Sequence, residues 1–223
     1  MLNLITVCTD DYPMIYAEKL HSRFASLSTI DVNHFCLTDR PSELPHWINA
    51  LTPFTKSYGW WNKINLFHKD MPEGMILYLD VDIVITQNFD YEIKFMQEQK
   101  SSICCVSDAI NWKGNKFSSS LLFFRSGIFH HIYLKFIESG DLTDFEGGDQ
   151  VWLGPMMTDV CYLDDTFPFL KKSLKFQLAT RNGEELRLPL AIDKRIKLID
   201  CSGEPKPHSL ARLGYIRSNW HDV

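Results

Sequence analysis

The sequence lacks any apolar run of the ~20 residues needed to cross a bilayer. Its start, Met-Leu-Asn-Leu-Ile-Thr-Val, has neither the basic flank nor the cleavage site of a signal peptide, so a soluble, cytoplasmic protein is expected. Basic excess is missing as well. A formal charge of −5 and a pI near 5.9 leave no broad cationic surface for nucleic acid. No Cys-x-x-Cys occurs, and the six cysteines, Cys8, Cys36, Cys104, Cys105, Cys161 and Cys201, are scattered, which reads as reduced core thiols. The histidines offer only the adjacent pair His130 and His131; on a helix these point to different sides, and a zinc site is not expected. Gly-x-Gly-x-x-Gly and Gly-x-x-x-x-Gly-Lys-Ser/Thr are both absent, so a bound nucleotide would need a metal and basic side chains to carry its phosphates. There is no repeat, low-complexity tract or charged tail. With 223 residues, one α/β domain over 1–223 is expected.

What is there begins with residues 75–85, Met-Ile-Leu-Tyr-Leu-Asp-Val-Asp-Ile-Val-Ile, which set Asp80 and Asp82 into an otherwise apolar stretch. The run reads as a strand buried on both faces. Residues two apart on an extended backbone share a direction, so the two carboxylates would face the same way. Like charges in low dielectric repel unless a cation lies between them or one takes a proton. A divalent metal is the simplest resolution; the alternative is a frayed strand end with both acids in water.

Elsewhere short apolar strands alternate with amphipathic helices, the pattern of an α/β layer. Leu2 to Cys8 reads as a strand, followed by Thr9-Asp10-Asp11 as N-cap chemistry for a helix over 12–27. Asp31 to Leu37, Ile103 to Val106, Leu121 to Phe124 and Val160 to Leu163 read as strands, and Trp60 to Phe67 and Gly127 to Ile137 as helices. Ligands of open α/β sheets gather beyond the carboxyl ends of the strands. Thr9, Asp10 and Asp11, then Thr38 and Asp39, then Asp80 and Asp82 stand at three such ends.

Four segments taken in order, Val7-Cys8-Thr9-Asp10-Asp11-Tyr12, Tyr78-Leu79-Asp80-Val81-Asp82, Gly148-Asp149-Gln150 and Asp200-Cys201-Ser202-Gly203-Glu204-Pro205-Lys206-Pro207, resemble those of the GT-A fold glycosyltransferases. The likeness is to the retaining glycosyltransferase family 8, which includes glycogenin and bacterial galactosyl- and glucosyltransferases. It implies a Rossmann-like nucleotide-diphospho-sugar transferase fold with a mainly parallel central sheet flanked by helices. It implies transfer of a hexose, with retention, from a UDP-sugar to a glycan or lipid-linked acceptor.

The same resemblance implies roles for single residues. Val7, Thr9 and Asp11 would meet the nucleoside and Tyr12 would lie against the base. Asp80 and Asp82 would hold a divalent cation, manganese ahead of magnesium, offsetting charge on the departing diphosphate. Lys206 and Lys63 would add positive charge there. Ser118 stands where the family carries an Asn beside the donor sugar. Asp149 and Gln150 would serve the sugar hydroxyls and the anomeric centre; a Gln is no strong nucleophile, which favours front-face attack over double displacement. Asp200 replaces the family's metal-binding His and is expected as the third ligand, with His208 as the alternative ligand or an acceptor contact.

Trp112, Trp152, Phe167 and Phe169 are either core or a sugar-stacking lip. The basic residues Lys194, Arg195, Lys197, Lys206, Arg212 and Arg217 suit either the diphosphate or peripheral attachment to the inner face of an anionic membrane. Two other readings stay open. Asp80-Val81-Asp82 also resembles the first motif of the haloacid dehalogenase phosphatases, with Asp164-Asp165 as their late acidic pair. The third is a sugar-nucleotide-binding protein without turnover.

Overall fold

A computed structural model describes residues 1–10, 12–108, 114–142, 144–174, 191–203 and 206–222. In chain order its strands are β1 (Leu2–Val7), β2 (Asn33–Leu37), β3 (Asn49–Leu51), β4 (Met75–Leu79), β5 (Ile83–Ile85), β6 (Ile103–Ser107), β7 (Phe117–Arg125), β8 (Val160–Tyr162), β9 (Lys171–Ser173) and β10 (Leu198–Asp200). The longer helices are α1 (Ile15–Leu27), α2 (Asp90–Glu98) and α3 (His130–Ser139), with a short α4 (Gly148–Leu153) and a 3-10 segment over Gly59–Phe67.

Seven strands form one sheet in the order β3-β2-β1-β4-β7-β6-β8, and β5, β10 and β9 form a second, smaller sheet. The large sheet is mainly parallel, as expected. Only β7 runs against its neighbours β4 and β6, while β1, β2, β3 and β4 are parallel to one another and β8 to β6.

Alternation along the strands explains why both faces are covered. From β4, Leu77 and Leu79 pack with Leu20 and Phe24 of α1 and Ile93 and Met96 of α2. Ile76 and Tyr78 of the same strand face the opposite layer, made by Trp61, Ile64 and Phe67 and by Ile132 and Phe136 of α3. A third cluster sets Val84 and Ile199 of the small sheet against Tyr16, Leu210, Ile216 and Trp220. All six cysteines are free thiols, and all but Cys161 are buried, in keeping with core packing.

Three expectations change. The acidic run is not one strand: Asp80-Val81-Asp82-Ile83 is a turn, closed by the Ile83 N–H donating to the Asp80 carbonyl at 3.0 Å, and it carries the chain from the large sheet to the small one. The helix expected over 12–27 starts at Ile15 and has no side-chain cap, because Pro13 intervenes and the Thr9 and Asp10 side chains turn elsewhere. The helix expected over 60–67 is 3-10 throughout. Its shape is fixed by Asn65, whose side chain accepts from the Thr55 N–H at 2.8 Å and donates to the Thr55 carbonyl at 3.0 Å.

Candidate active site

The polar residues collect at the end of β4, in three linked groups. The first lies on the face occupied by the 59–67 segment. Asp80 still belongs to the ladder, since its N–H donates to the Ser120 carbonyl at 2.9 Å. Its side chain therefore follows Tyr78, two residues back, whose hydroxyl donates to Asp80 Oδ1 at 2.5 Å. Lys63 Nζ lies 2.8 Å from the same oxygen and 3.5 Å from Asp149 Oδ2, and it donates to Ser119 Oγ at 3.1 Å. Ser119 in turn donates to Asp149 at 2.6 Å. Burial works against the Lys63 charge, but Asp149 and Asp80 outweigh it and hold the ammonium above its usual range. Burial raises the Asp80 carboxyl, Asp82 adds to the rise, and Lys63 opposes it.

The second group lies past the turn. Asp82 is 4% exposed. Lys206 Nζ donates to its Oδ2 at 2.6 Å, the Tyr12 hydroxyl donates to the same oxygen at 3.2 Å, and Lys206 also contacts that hydroxyl. The Lys206 ammonium stands 4.8 Å from the Tyr12 ring centroid, a cation–π distance. Burial and the Asp82 charge push the Tyr12 phenol up to about 12. The family likeness puts Tyr12 against a base, whereas its hydroxyl here is committed to Asp82 and Lys206. Asp11 lies outside the described residues, as do Glu204 and Pro205.

The third group was not foreseen. Lys171 of β9 donates to Asp200 Oδ2 at 2.8 Å and to Ser120 Oγ at 2.7 Å. The other Asp200 oxygen accepts the Ser202 N–H at 2.9 Å. Burial opposes the Asp200 charge, but Lys171 and Ser202 overcome it and bring the carboxyl down to about 2. Strand β7 serves two of the groups by alternation: Ser119 turns to Lys63, while Ser120 turns to Lys171 and meets Ser118 at 3.1 Å between hydroxyls.

The expected set of three metal-binding carboxylates is thus not gathered. Among the described residues no group of three or more His, Cys, Asp or Glu side chains could hold a metal ion. The physical reason is charge balance. Asp80, Asp82 and Asp200 each have their own lysine, and Asp200 spends its second oxygen on a turn. His208, the alternative ligand, is bonded to the Tyr16 hydroxyl.

The strand-end residues find a shared partner in Asn62, 1% exposed. Its amide donates to Thr9 Oγ1 at 2.9 Å and to Asp10 Oδ2 at 3.1 Å, and to the carbonyls of Ser57 and Gly59 at 2.9 and 3.2 Å. Asp10 also accepts the Gly59 N–H at 3.0 Å, and its φ of 55° fits an Asp in a tight turn. Val7, at the end of β1, is half-buried and packs on the large-sheet core. Gln150, in the first turn of α4, donates to Asp108 Oδ2 at 3.3 Å. Its neighbour Asp149 is held by Ser119 and Lys63.

Of the aromatics read as either core or lip, Trp152 packs edge-on to Trp61 and Phe136, and Phe167 to Phe95 and Tyr91. Phe169 lies under Arg195, 3.5 Å from ring centroid to guanidinium, and Trp112 lies outside the described residues. The C-terminal basic stretch is largely neutralised, because Arg195, Lys197, Lys206 and Arg217 face Asp193, Glu92, Asp82 and Asp222. Among the described residues no helix is long and apolar enough to cross a membrane. The late acidic pair of the phosphatase reading is used locally: Asp164 accepts the Ser107 N–H at 2.6 Å and Asp165 pairs with Lys116 at 3.1 Å.

No family model matches the sequence, and no curated protein matches it by sequence. Solved structures do match by shape. The galactosyltransferase LgtC, in complex with donor and acceptor sugar analogs, superposes with a TM-score of 0.64 at 11% identity, covering 100% of this chain and 96% of that one. The glycosyltransferase GlyE of Streptococcus pneumoniae gives 0.67 at 14%, covering 100% of this chain and 62% of its own. Mouse xyloside xylosyltransferase 1 gives 0.52 at 13%, covering 91% and 97%. The chain therefore has the GT-A glycosyltransferase fold.

Proposed function

We propose that the chain is a glycosyltransferase that moves a hexose, with retention, from a UDP-sugar to a glycan or lipid-linked acceptor. One observation carries the reading. Within a glycosyltransferase fold, residues scattered from Tyr12 to Lys206 are tied by hydrogen bonds and ion pairs around one turn, and lysines and carboxylates alternate there. A sugar diphosphate needs such a place: cations for its phosphates, and carboxylate and hydroxyl groups for its sugar.

In this reading Lys63 and Lys206 offset the charge that grows on the diphosphate as the glycosidic bond breaks. Asp149, fixed by Ser119 and Lys63, holds sugar hydroxyls. Gln150 borders the front face, where the acceptor oxygen bonds to the anomeric carbon while its proton passes to the departing phosphate oxygen. LgtC has an active-site glutamine, known from its Gln-to-Glu mutant, and Gln150 is this chain's candidate for that place.

Asp80 and Asp82 stand on one four-residue turn, each paired with a lysine; with Lys63 and Lys206 drawn to the diphosphate, the two carboxylates would be left to a divalent cation, all-oxygen donors favouring manganese or magnesium. When bound, the ion would supply Lewis-acid stabilisation of the diphosphate. Asp200 is assigned instead to holding Ser202 and Lys171 in place.

The test is a screen of UDP- and GDP-sugars for slow release of nucleoside diphosphate, with manganese and with chelator. Release is expected from at least one UDP-sugar, lost in Asp80→Ala and in Asp82→Ala while both variants stay folded. Retained activity in both variants would overturn the reading. Binding of a sugar nucleotide, seen as a raised melting temperature without any release, would favour a binding protein without turnover.

A further inference from the structure

The adjacent tryptophans that open the 59–67 segment have opposite surroundings. Trp61 is 3% exposed, with its ring among Phe136, Phe145 and Trp152. Trp60 is 56% exposed and Tyr58, two residues earlier, 67%. A single exposed aromatic is ordinary on a protein surface, so the exposure gains meaning only from its setting.

Nor is Trp60 on a loose loop. The preceding Gly59 N–H is bonded to Asp10, and Asn62 ties the carbonyls of Ser57 and Gly59. The indole edge rests against Gly148, where an added Cβ would lie only 2.9 Å from Trp60 Nε1. The next two residues are Asp149 and Gln150. An exposed aromatic ring, on a backbone held by Asp10 and Asn62, therefore packs against the glycine that precedes Asp149 and Gln150.

We infer that Trp60 is a stacking platform for a pyranose ring. One face of such a ring carries C–H groups that lie well on an aromatic plane, while its edge presents hydroxyls to nearby carboxylate and amide groups. Asp149 and Gln150 supply those groups. The inference rests on the transferase reading only in choosing a sugar as the occupant. The ring belongs either to the donor or to the acceptor; the chemistry is the same, and the experiment separates the two.

Binding is measured by saturation-transfer NMR and titration for the parent, Trp60→Ala, Trp60→Phe and, as a control for loss of an exposed aromatic elsewhere, Tyr91→Ala on α2. One arm uses methyl β-D-glucopyranoside and methyl β-D-galactopyranoside with UDP present. The other compares UDP-glucose and UDP-galactose with UDP alone. Trp60→Ala is expected to weaken binding in one arm by about fivefold or more, with Trp60→Phe within about threefold of the parent and Tyr91→Ala unchanged. Loss in the first arm assigns the platform to the acceptor, and loss in the second to the donor sugar. If Trp60→Ala fails to fold, Trp60→Leu replaces it.

The inference is overturned if Trp60→Ala binds every probe as tightly as the parent. It is equally overturned if Tyr91→Ala loses as much, or if the parent binds no pyranoside and no UDP-sugar more tightly than UDP. Sugar binding through Trp60 with no nucleoside diphosphate released from any donor would sink the transferase reading and leave the platform standing. Release combined with Trp60-independent sugar binding would do the reverse.

Discussion

Lys171 Nζ and Asp200 Oδ2 face each other at 2.8 Å, with side chains only 8% and 5% exposed. Both charges have left water, and each is bearable only because the other is there. The pair holds β9 to the end of β10, and Asp200 also fixes the Ser202 N–H, four residues ahead of the Lys206 that meets Asp82.

Breaking that pair from one side should be costly. Lys171→Met or Asp200→Asn alone is expected to lose about 3–5 kcal/mol of stability, and Lys171→Met combined with Asp200→Leu to recover most of it. Urea unfolding of the three variants decides the matter. Asp200→His, which would keep a metal ligand, is expected to behave like the asparagine variant, because Lys171 is left without its carboxylate in both.

Asn62→Ala removes the amide that joins Thr9 and Asp10 to the Ser57–Gly59 backbone. A buried group with that many partners is expected to cost about 1–3 kcal/mol. Donor affinity should weaken too, since Lys63 follows directly. Melting temperature and titration with the sugar nucleotide would show whether the two losses come together.

His21 is fully buried, with Nε2 3.1 Å from Thr6 Oγ1 and Nδ1 2.9 Å from His34 Nδ1. Burial, aided by the His34 charge, pushes its pKa down to about 3 from an ordinary 6.5. Below pH 6.5 the unfolded chain therefore binds a proton that the folded chain refuses. Stability from this residue is complete above that pH and is lost as pH falls toward 3, at about 1.4 kcal/mol per unit. Melting curves from pH 7 to 5 should slope downward, and His21→Phe should flatten the slope.

Gly148 has φ +69° and the Trp60 indole against it, whereas Gly59 has φ +55° and open space where a Cβ would go. Alanine at either position should cost about 1–2 kcal/mol for the left-handed backbone. Only Gly148→Ala should also displace Trp60 and Asp149. Equal loss of transfer activity in the two variants would contradict that difference.

Much of the layer order was legible in the sequence, because strands such as Leu2–Val7 and Ile103–Ser107 are short apolar runs and α1 repeats Tyr16, Leu20 and Phe24 on one side. The turn at Asp80 was hidden by the same signal. Apolar residues on both sides of it make two strands in two sheets look like one. Lys63 and Lys206 were placed near Asp80 and Asp82 only through the family likeness, and Lys171 not at all: it meets Asp200 across 29 positions, as Lys206 meets Asp82 across 124, and only the folded chain brings such pairs together. Side-chain direction in the 3-10 segment was equally unreadable, as adjacent Trp60 and Trp61 show.

The crossing between the sheets at Asp80–Ile83 has a mechanical corollary. Asp80 closes the last rung between β4 and β7, and three residues later Ile83 begins the ladder with Asp200. Anything gripped by the acids of that bend is braced by two layers at once. Occupancy should therefore slow amide exchange in β10 together with β4, making ligand affinity a gauge of how firmly the smaller sheet is riveted to the larger.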